Sequence, residues 1–162
     1  MKLLVLGGTR FAGRAIVAAA LAAGDDVTTL NRGVSREPAA GVRALSADRT
    51  NPAELREALG AQEWDAVIDT WTWPSSAVAV SAELLAGRVG HYGYVSTVSV
   101  YAEPLSVGAD EQAPMVDGDP HSDDITDYPA AKRGCELAVL QHFAGRALIG
   151  RPGLILGPYE NI

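Results

Sequence analysis

Six short apolar runs most constrain the fold that this chain of 162 residues can adopt. Each run is nearly free of polar residues, which is typical of parallel strands that are covered on both faces. Helical stretches separate the runs, so the sequence predicts one doubly wound α/β domain with a parallel sheet of about six strands. The predicted strands are residues 3–6, 27–30, 42–45, 66–68, 92–95 and 147–149.

Helix-forming segments are expected over residues 12–23, from Asn51 to just before Gly60, over 74–85 and over 128–143. Asn51 followed by Pro52 is a favourable helix start, because proline fits the first helical turn. The connection after Leu30 is expected to be irregular or only briefly helical. Residues 102–127 form a long connection punctuated by proline and glycine, which predicts a lid or a binding loop.

Charge and cysteine content narrow the function classes. The net charge is -7, and the seven acidic residues within 110–127 account for it, since the remainder holds 13 acids and 13 bases. Without a basic excess, the charge balance argues against a nucleic-acid partner. The single Cys135 excludes an internal disulfide and favours a reducing, cytoplasmic location. We expect no metal site and no membrane segment.

A glycine-rich segment, Gly7-Gly8-Thr9-Arg10-Phe11-Ala12-Gly13, joins the first predicted strand to the first predicted helix. A turn of this kind presents backbone N–H groups and the positive helix end to a pyrophosphate. Gly7 would permit the tight turn, and Gly13 would let the helix pack closely on the strand. Arg10 stands where a dinucleotide fingerprint has its middle glycine, so a plain strand-to-helix turn is the alternative.

The residues after the second and third strands bear on cofactor choice. NAD-specific sites place an acid at the end of the second strand, whereas this chain has Asn31-Arg32 there. A guanidinium suits a 2'-phosphate, which favours NADP over NAD, although a solvated arginine is an equal alternative. Asp48 could contact the adenine amino group or could cap the following helix.

Tyr128 and Lys132 stand four residues apart on a predicted helix and therefore on one face. An ammonium beside the phenol would lower the tyrosine pKa and make Tyr128 a plausible acid or base. Ser96, Thr97 and Ser99 place hydroxyls at the carboxyl edge of the sheet, where one could polarise a substrate carbonyl. Trp71 and Trp73 could line the pocket there or pack in the core or a lid.

The order of these motifs, with Arg151-Pro152-Gly153 and Gly157-Pro158 after them, resembles that of the NAD-dependent epimerase/dehydratase family, which are extended short-chain dehydrogenases with a Rossmann domain. The resemblance implies Tyr128 as catalytic acid/base, Lys132 as ribose ligand and tuner of the phenol, and Thr97 as the group holding the substrate oxygen. The positions it implies for NAD(P) binding are Gly7, Thr9, Arg10, Phe11, Gly13, Asn31, Arg32, Asp48, Thr70, Lys132 and Pro152.

Three features depart from the family pattern. Val98-Ser99 follows Thr97 in place of the Asp-Glu pair of dehydratases, which favours redox chemistry or epimerisation. With Arg10 in place of the middle glycine, the turn resembles that of an atypical branch of the family, which has the pattern GGTRFxG. The chain ends four residues after Pro158, so we expect a truncated form, inactive alone, that lacks the substrate domain.

Two functions follow as hypotheses. The first is an NAD(P)-dependent oxidoreductase or epimerase acting on a hydroxyl or carbonyl of a sugar-like or nucleotide-sugar substrate. The second is a non-catalytic module on the same fold that senses NADP(H) or binds RNA or a protein. The resemblance also implies a homodimer through helices 74–85 and 128–143.

Overall fold

The computed structural model describes residues 1–33, 39–158 and 160, and within them six parallel strands form one sheet. The spatial order is β3-β2-β1-β4-β5-β6, so the chain reverses its direction of winding between β1 and β4. This is the doubly wound arrangement that the sequence predicts. The strands are β1 (Lys2–Leu6), β2 (Asp26–Asn31), β3 (Arg43–Ser46), β4 (Trp64–Asp69), β5 (Val89–Val95) and β6 (Ala147–Gly150).

Four α-helices connect the strands: α1 (Phe11–Ala22), α2 (Pro52–Leu59), α3 (Ser75–Leu85) and α4 (Tyr128–Phe143). A short 3₁₀ helix over Val98–Val100, which the sequence analysis did not predict, follows β5. Asn51 starts α2 as expected, because its side-chain oxygen accepts hydrogen bonds from the backbone N–H groups of Ala53 and Glu54. Within the described residues, no helix has the length and apolar character needed to cross a membrane.

The sheet separates two apolar clusters, and alternate residues of β1 point to opposite ones. Leu3 and Val5 pack with Val17 of α1 in the smaller cluster. Leu4 and Leu6 belong to the larger cluster, which the three other helices complete. Because both faces of the central strands are covered, their apolar runs have no polar alternation.

The edge strands differ from the prediction that every run is covered on both faces. β3 contains no buried residue, and the side chain of Leu148 in β6 is 74% exposed. An edge strand has a neighbour on one side only, and the apolar composition of a run does not reveal its place in the sheet order.

The long acidic connection is attached to the domain rather than free of it. Ser75 donates from its hydroxyl to the backbone carbonyls of Asp119 and Ser122, and Ser76 donates to the carboxylate of Asp123. These contacts place the acidic segment at the start of α3. Of the connection after Leu30, residues 34–38 lie outside the described part of the chain.

A buried ion pair links the ends of β3 and β4. Arg49 donates from two guanidinium nitrogens to the two carboxylate oxygens of Asp69, each at 2.7 Å, and Asp69 is fully buried. Ser81 of α3 accepts from the same guanidinium, and the hydroxyl of Tyr92 in β5 donates to Asp69 at 2.6 Å. Burial alone would lower the pKa of Arg49, but Asp69 outweighs it and the pKa is raised.

We expect Asp69→Asn to lower the free energy of unfolding by about 3–5 kcal/mol, because it leaves the Arg49 charge buried without its counter-ion. Asp65→Asn on the same strand is the matched control. Asp65 is exposed, and its amide replacement can still accept from the backbone N–H of Lys2, so stability should stay within about 0.5 kcal/mol. Urea denaturation measures both, and equal stability of the two variants would contradict the prediction.

Candidate dinucleotide site

A cleft of about 610 Å³ opens at the carboxyl ends of β1, β2 and β4, where the sheet order reverses. Open α/β sheets bind ligands at this place. We call it the glycine-turn cleft. It is lined by the turn Gly7 to Gly13 without Gly8, by Leu6, Leu30, Asn31, Arg32, Ala47 and Arg49, and by residues 70–73.

The glycine turn has a geometry that side chains would prevent. Gly7 has a φ of +92°, which favours glycine, and Thr70 donates from its hydroxyl to the carbonyls of Leu6 and Gly7, both at 3.1 Å. A Cβ atom at Gly13 would lie 2.0 Å from the carbonyl oxygen of Gly7. Helix α1 therefore begins directly against the turn, with its first N–H groups at the cleft.

Asn31 and Arg32 take different roles in this geometry. The side-chain oxygen of Asn31 accepts from the backbone N–H of Gly8 at 2.9 Å and from the Thr9 hydroxyl at 3.4 Å, so it supports the turn. Arg32 is exposed at the cleft, as is Arg10. Neither arginine forms a salt bridge with a described residue, and Arg32 interacts electrostatically with the nearby carboxylate of Asp48.

Asp48 does not line the cleft, and the alternative that it caps α2 is wrong. Its carboxylate accepts from the backbone N–H and the hydroxyl of Thr50, which lowers its pKa, while Asn51 caps the helix. The next residue, Arg49, lines the cleft instead. Sequence analysis missed Arg49 and its partner Asp69. Asp69 directly follows an apolar run, whereas Arg49 stands four residues after the end of one.

Trp71 and Trp73 follow β4 and line the cleft. Trp71 also packs against the larger apolar cluster, so it combines both roles left open by the sequence. The guanidinium of Arg49 lies 4.9 Å from the centre of the Trp71 ring.

Tyr128 and Lys132 occupy different environments on α4. Tyr128, the first helical residue, is 36% exposed, and its ring contacts that of Trp73 edge to face with centroids 5.3 Å apart. Lys132 is 4% exposed and donates to the carbonyls of Trp71 at 3.0 Å and Val95 at 2.6 Å. The described hydrogen bonds of the ammonium go to these two backbone carbonyls and not to the phenol, so its effect on Tyr128 stays a prediction.

Burial lowers the pKa of Lys132 to about 8. An ammonium has three N–H donors, and two of them are used by the carbonyls. The ammonium also lies 4.4 Å from the centre of the Tyr94 ring, and its third N–H has no described oxygen or nitrogen acceptor.

Thr97 lies two residues after β5 and caps the start of the 3₁₀ helix, where its hydroxyl accepts from the backbone N–H of Ser99 and donates to the Ser99 hydroxyl, both at 3.2 Å. Ser96 donates instead to the buried Glu136 at 2.6 Å. The carbonyl of Pro152 accepts from the backbone N–H of Val98. Thr97, Tyr128, Lys132 and Pro152 all lie outside the lining of the glycine-turn cleft.

Glu136 is a second buried carboxylate that sequence reasoning missed. Arg151 donates to both of its oxygens, at 2.8 and 2.9 Å, and Arg133 donates to one at 2.8 Å. Burial alone would raise the pKa of Glu136, but these hydrogen bonds lower it. The sequence signal that could have identified Glu136 is its position four residues after Lys132, on the same helix face. Among the described residues, no cluster of three or more metal-ligand side chains occurs.

We expect Gly13→Ala to lower the free energy of unfolding by about 1–3 kcal/mol, because the added methyl group overlaps the Gly7 carbonyl. Gly87→Ala is the control, since its Cβ would meet open space. Thermal and urea unfolding measure both variants. A Gly13→Ala protein as stable as the control would contradict the close contact.

Lys132 should also make stability depend on pH. Its folded pKa lies below the usual value of 10.5, so between about pH 8 and 10 the unfolded state binds more protons and stability rises with pH. Over that pH range, we expect the free energy of unfolding of the wild type to rise by about 2 kcal/mol relative to that of Lys132→Met. Urea denaturation at several pH values tests this, and a constant difference would contradict it.

Several solved structures resemble this chain in fold. The chain resembles a proposed epimerase of Burkholderia cenocepacia J2315, with 23% identity and a TM-score of 0.76 over 94% of this chain and 54% of that one. It also resembles WbmG of Bordetella bronchiseptica in complex with NAD and UDP, with 17% identity and a TM-score of 0.68 over 86% and 49% of the two chains.

A third similar structure is dTDP-glucose 4,6-dehydratase of Bacillus anthracis in complex with NAD, with 14% identity and a TM-score of 0.72 over 99% and 57% of the two chains. The chain thus spans about half the length of these proteins. The comparison with curated proteins gives no match. The sequence model of a protein family matches residues 3–162, and the chain therefore belongs to that family, the NAD dependent epimerase/dehydratase family.

Proposed function

We propose that the glycine-turn cleft binds a nicotinamide dinucleotide and that the chain is the cofactor-binding part of an NAD(P)-dependent epimerase or reductase. The observation that carries this proposal is the contact between Gly13 and the Gly7 carbonyl, which brings the start of α1 against the turn. A helix start at such a turn suits a diphosphate, because its free N–H groups and its dipole both favour negative charge.

The cleft offers different groups to the two ends of a dinucleotide. Arg10, the turn and α1 would hold the diphosphate, and Arg32 would hold a 2'-phosphate at the end of β2. The opposite end of the cleft, at Trp73, leads to Tyr128 and would take the nicotinamide. The neighbours' complexes with NAD support a nicotinamide cofactor, and the preference for NADP rests on Arg32 alone.

A bound nicotinamide supplies a site that accepts and returns hydride. We propose that the phenol of Tyr128 donates and accepts the proton of the substrate oxygen, because this phenol is partly exposed and therefore accessible. Thr97 would hold that oxygen with its hydroxyl. Lys132 would act on the phenol through its charge and donate its third N–H to the ribose. A nucleotide sugar is the proposed substrate class, in line with the UDP that WbmG holds.

The same proposal includes a homodimer through α3 and α4. The two helices pack against each other along the larger cluster, and Leu140 of α4 stays partly exposed. Seven residues of α3 are already buried within one chain, so the dimer contact would use the remaining outer side of each helix.

The test is a parallel titration with NADPH and NADH, followed by energy transfer from the tryptophans, two of which line the cleft. We expect NADPH to bind more tightly. Arg32→Ala should weaken NADPH about tenfold and leave NADH within about twofold, because the guanidinium forms a charge-assisted hydrogen bond only with the extra phosphate.

Arg43→Ala is the matched control, since Arg43 is exposed on β3 and does not line the cleft. It removes the same charge and should change neither affinity by more than about twofold. Equal loss of NADPH and NADH in Arg32→Ala would remove the NADP preference. Binding of neither dinucleotide by the folded wild type would overturn the proposal and favour a non-catalytic module.

A further inference from the structure

The short segment after β4 that contains Trp71, Thr72 and Trp73 lines the end of the cleft proposed for the nicotinamide, but the proposal above gives its side chains no role in the reaction. We call it the tryptophan loop. All three residues line the glycine-turn cleft, at the end opposite Asn31 and Arg32. The loop is thus next to any group bound at that end.

Trp71 fixes the loop through its backbone and its side chain. Its N–H donates to the buried Asp69 carboxylate at 2.9 Å, and its indole N–H donates to the Pro74 carbonyl at 2.9 Å. Its carbonyl accepts from the hydroxyl of Tyr94 at 2.9 Å and from the ammonium of Lys132 at 3.0 Å. Each of these polar groups is satisfied, so the loop is held in one position.

Trp73 extends the same loop to the other candidate catalytic side chain. Its ring meets the Tyr128 ring at 82° with centroids 5.3 Å apart, a geometry that the aromatic quadrupoles favour. Tyr128 has no described hydrogen bond from its hydroxyl, so the ring contact is the interaction through which the tryptophan loop can act on its side chain.

One loop therefore contacts both members of the Tyr–Lys pair, by a carbonyl and by a ring. We propose that the tryptophan loop positions Tyr128 and Lys132 against the nicotinamide end of the cleft, and that Trp73 is a positioning residue that also shields this end from water. The inference rests on the proposed function for its ligand, a nicotinamide dinucleotide. Under this proposal, the loop after β4 sets the relative position of the phenol and the ammonium, although both side chains belong to α4.

The first test concerns the ring contact itself and needs no cofactor. Trp73→Ala should raise the rate at which tetranitromethane nitrates Tyr128 by about threefold, because the phenol loses its aromatic neighbour. Trp73→Phe should restore a rate close to that of the wild type. Trp64→Phe is the control, since Trp64 is buried at the opposite end of β4 and lines no part of this cleft. Peptide mass spectrometry measures nitration at Tyr128, and equal rates in all four proteins would overturn the proposal.

The second test follows the emission of bound NADH, excited at a wavelength that tryptophan does not absorb. We expect Trp73→Ala to reduce the emission enhancement and blue shift of bound NADH, because water reaches the nicotinamide. The affinity for ADP-ribose, which lacks the nicotinamide, should stay within about twofold. Trp73→Phe should retain most of the enhancement, and Trp64→Phe all of it.

The outcomes separate this inference from the proposed function. Wild type that binds neither NADH nor ADP-ribose would overturn the proposed function and this inference with it. Wild type that binds both, with unchanged NADH emission in Trp73→Ala, would overturn the inference alone. A parallel loss of NADH and ADP-ribose affinity would place Trp73 at the adenosine end and would equally overturn it.

Discussion

The ion pair between Arg49 and Asp69 is the interaction on which the site end of the sheet depends. Removing two charges from water costs several kcal/mol, and the cost is offset only when the remaining hydrogen-bonding positions are filled. Asp69 meets that condition: its two oxygens accept from Arg49, from the Tyr92 hydroxyl and from the Trp71 N–H. With Ser81 bound to the same guanidinium, the pair joins segments from β3, β4, β5 and α3. A ligand at the cleft therefore meets a surface with little freedom to move.

Lys132 shows how this buried polar structure reaches the candidate reactive groups. Its two acceptors are the carbonyls of Trp71 and Val95. The N–H of Trp71 is held by Asp69, and Val95 precedes Ser96, whose hydroxyl is held by Glu136. The position of the ammonium is thus set by two buried carboxylates, neither of which touches it directly. Burial and the two carbonyls hold the ammonium, and its described hydrogen bonds do not include one to the phenol of Tyr128.

The sequence was sufficient for the elements and insufficient for the non-local pairs. Strand runs such as residues 3–6 are recognisable because apolar composition and turn residues are local signals, and their parallel order follows from the helices between them. Arg49 and Asp69 stand 20 residues apart in the chain, and nothing local distinguishes an arginine that will pair from one that will be solvated. The same limit applies to Tyr128 and Lys132: helical spacing places them on one side of α4, while their burial depends on β5 and the tryptophan loop.

The ion pair also affects the charge of the cleft. Three arginines line it, but the charge of Arg49 is balanced by Asp69. Arg10 and Arg32 form no salt bridge with a described residue, although Asp48 is near enough to Arg32 for a favourable electrostatic interaction. The seven acids of 110–127 belong to a segment fastened at the start of α3, through Ser76 and Asp123. The proposed attraction of an anionic ligand by a chain with a net charge of -7 therefore depends on Arg10 and Arg32 at the cleft, because water and salt screen exposed charges that lie farther away.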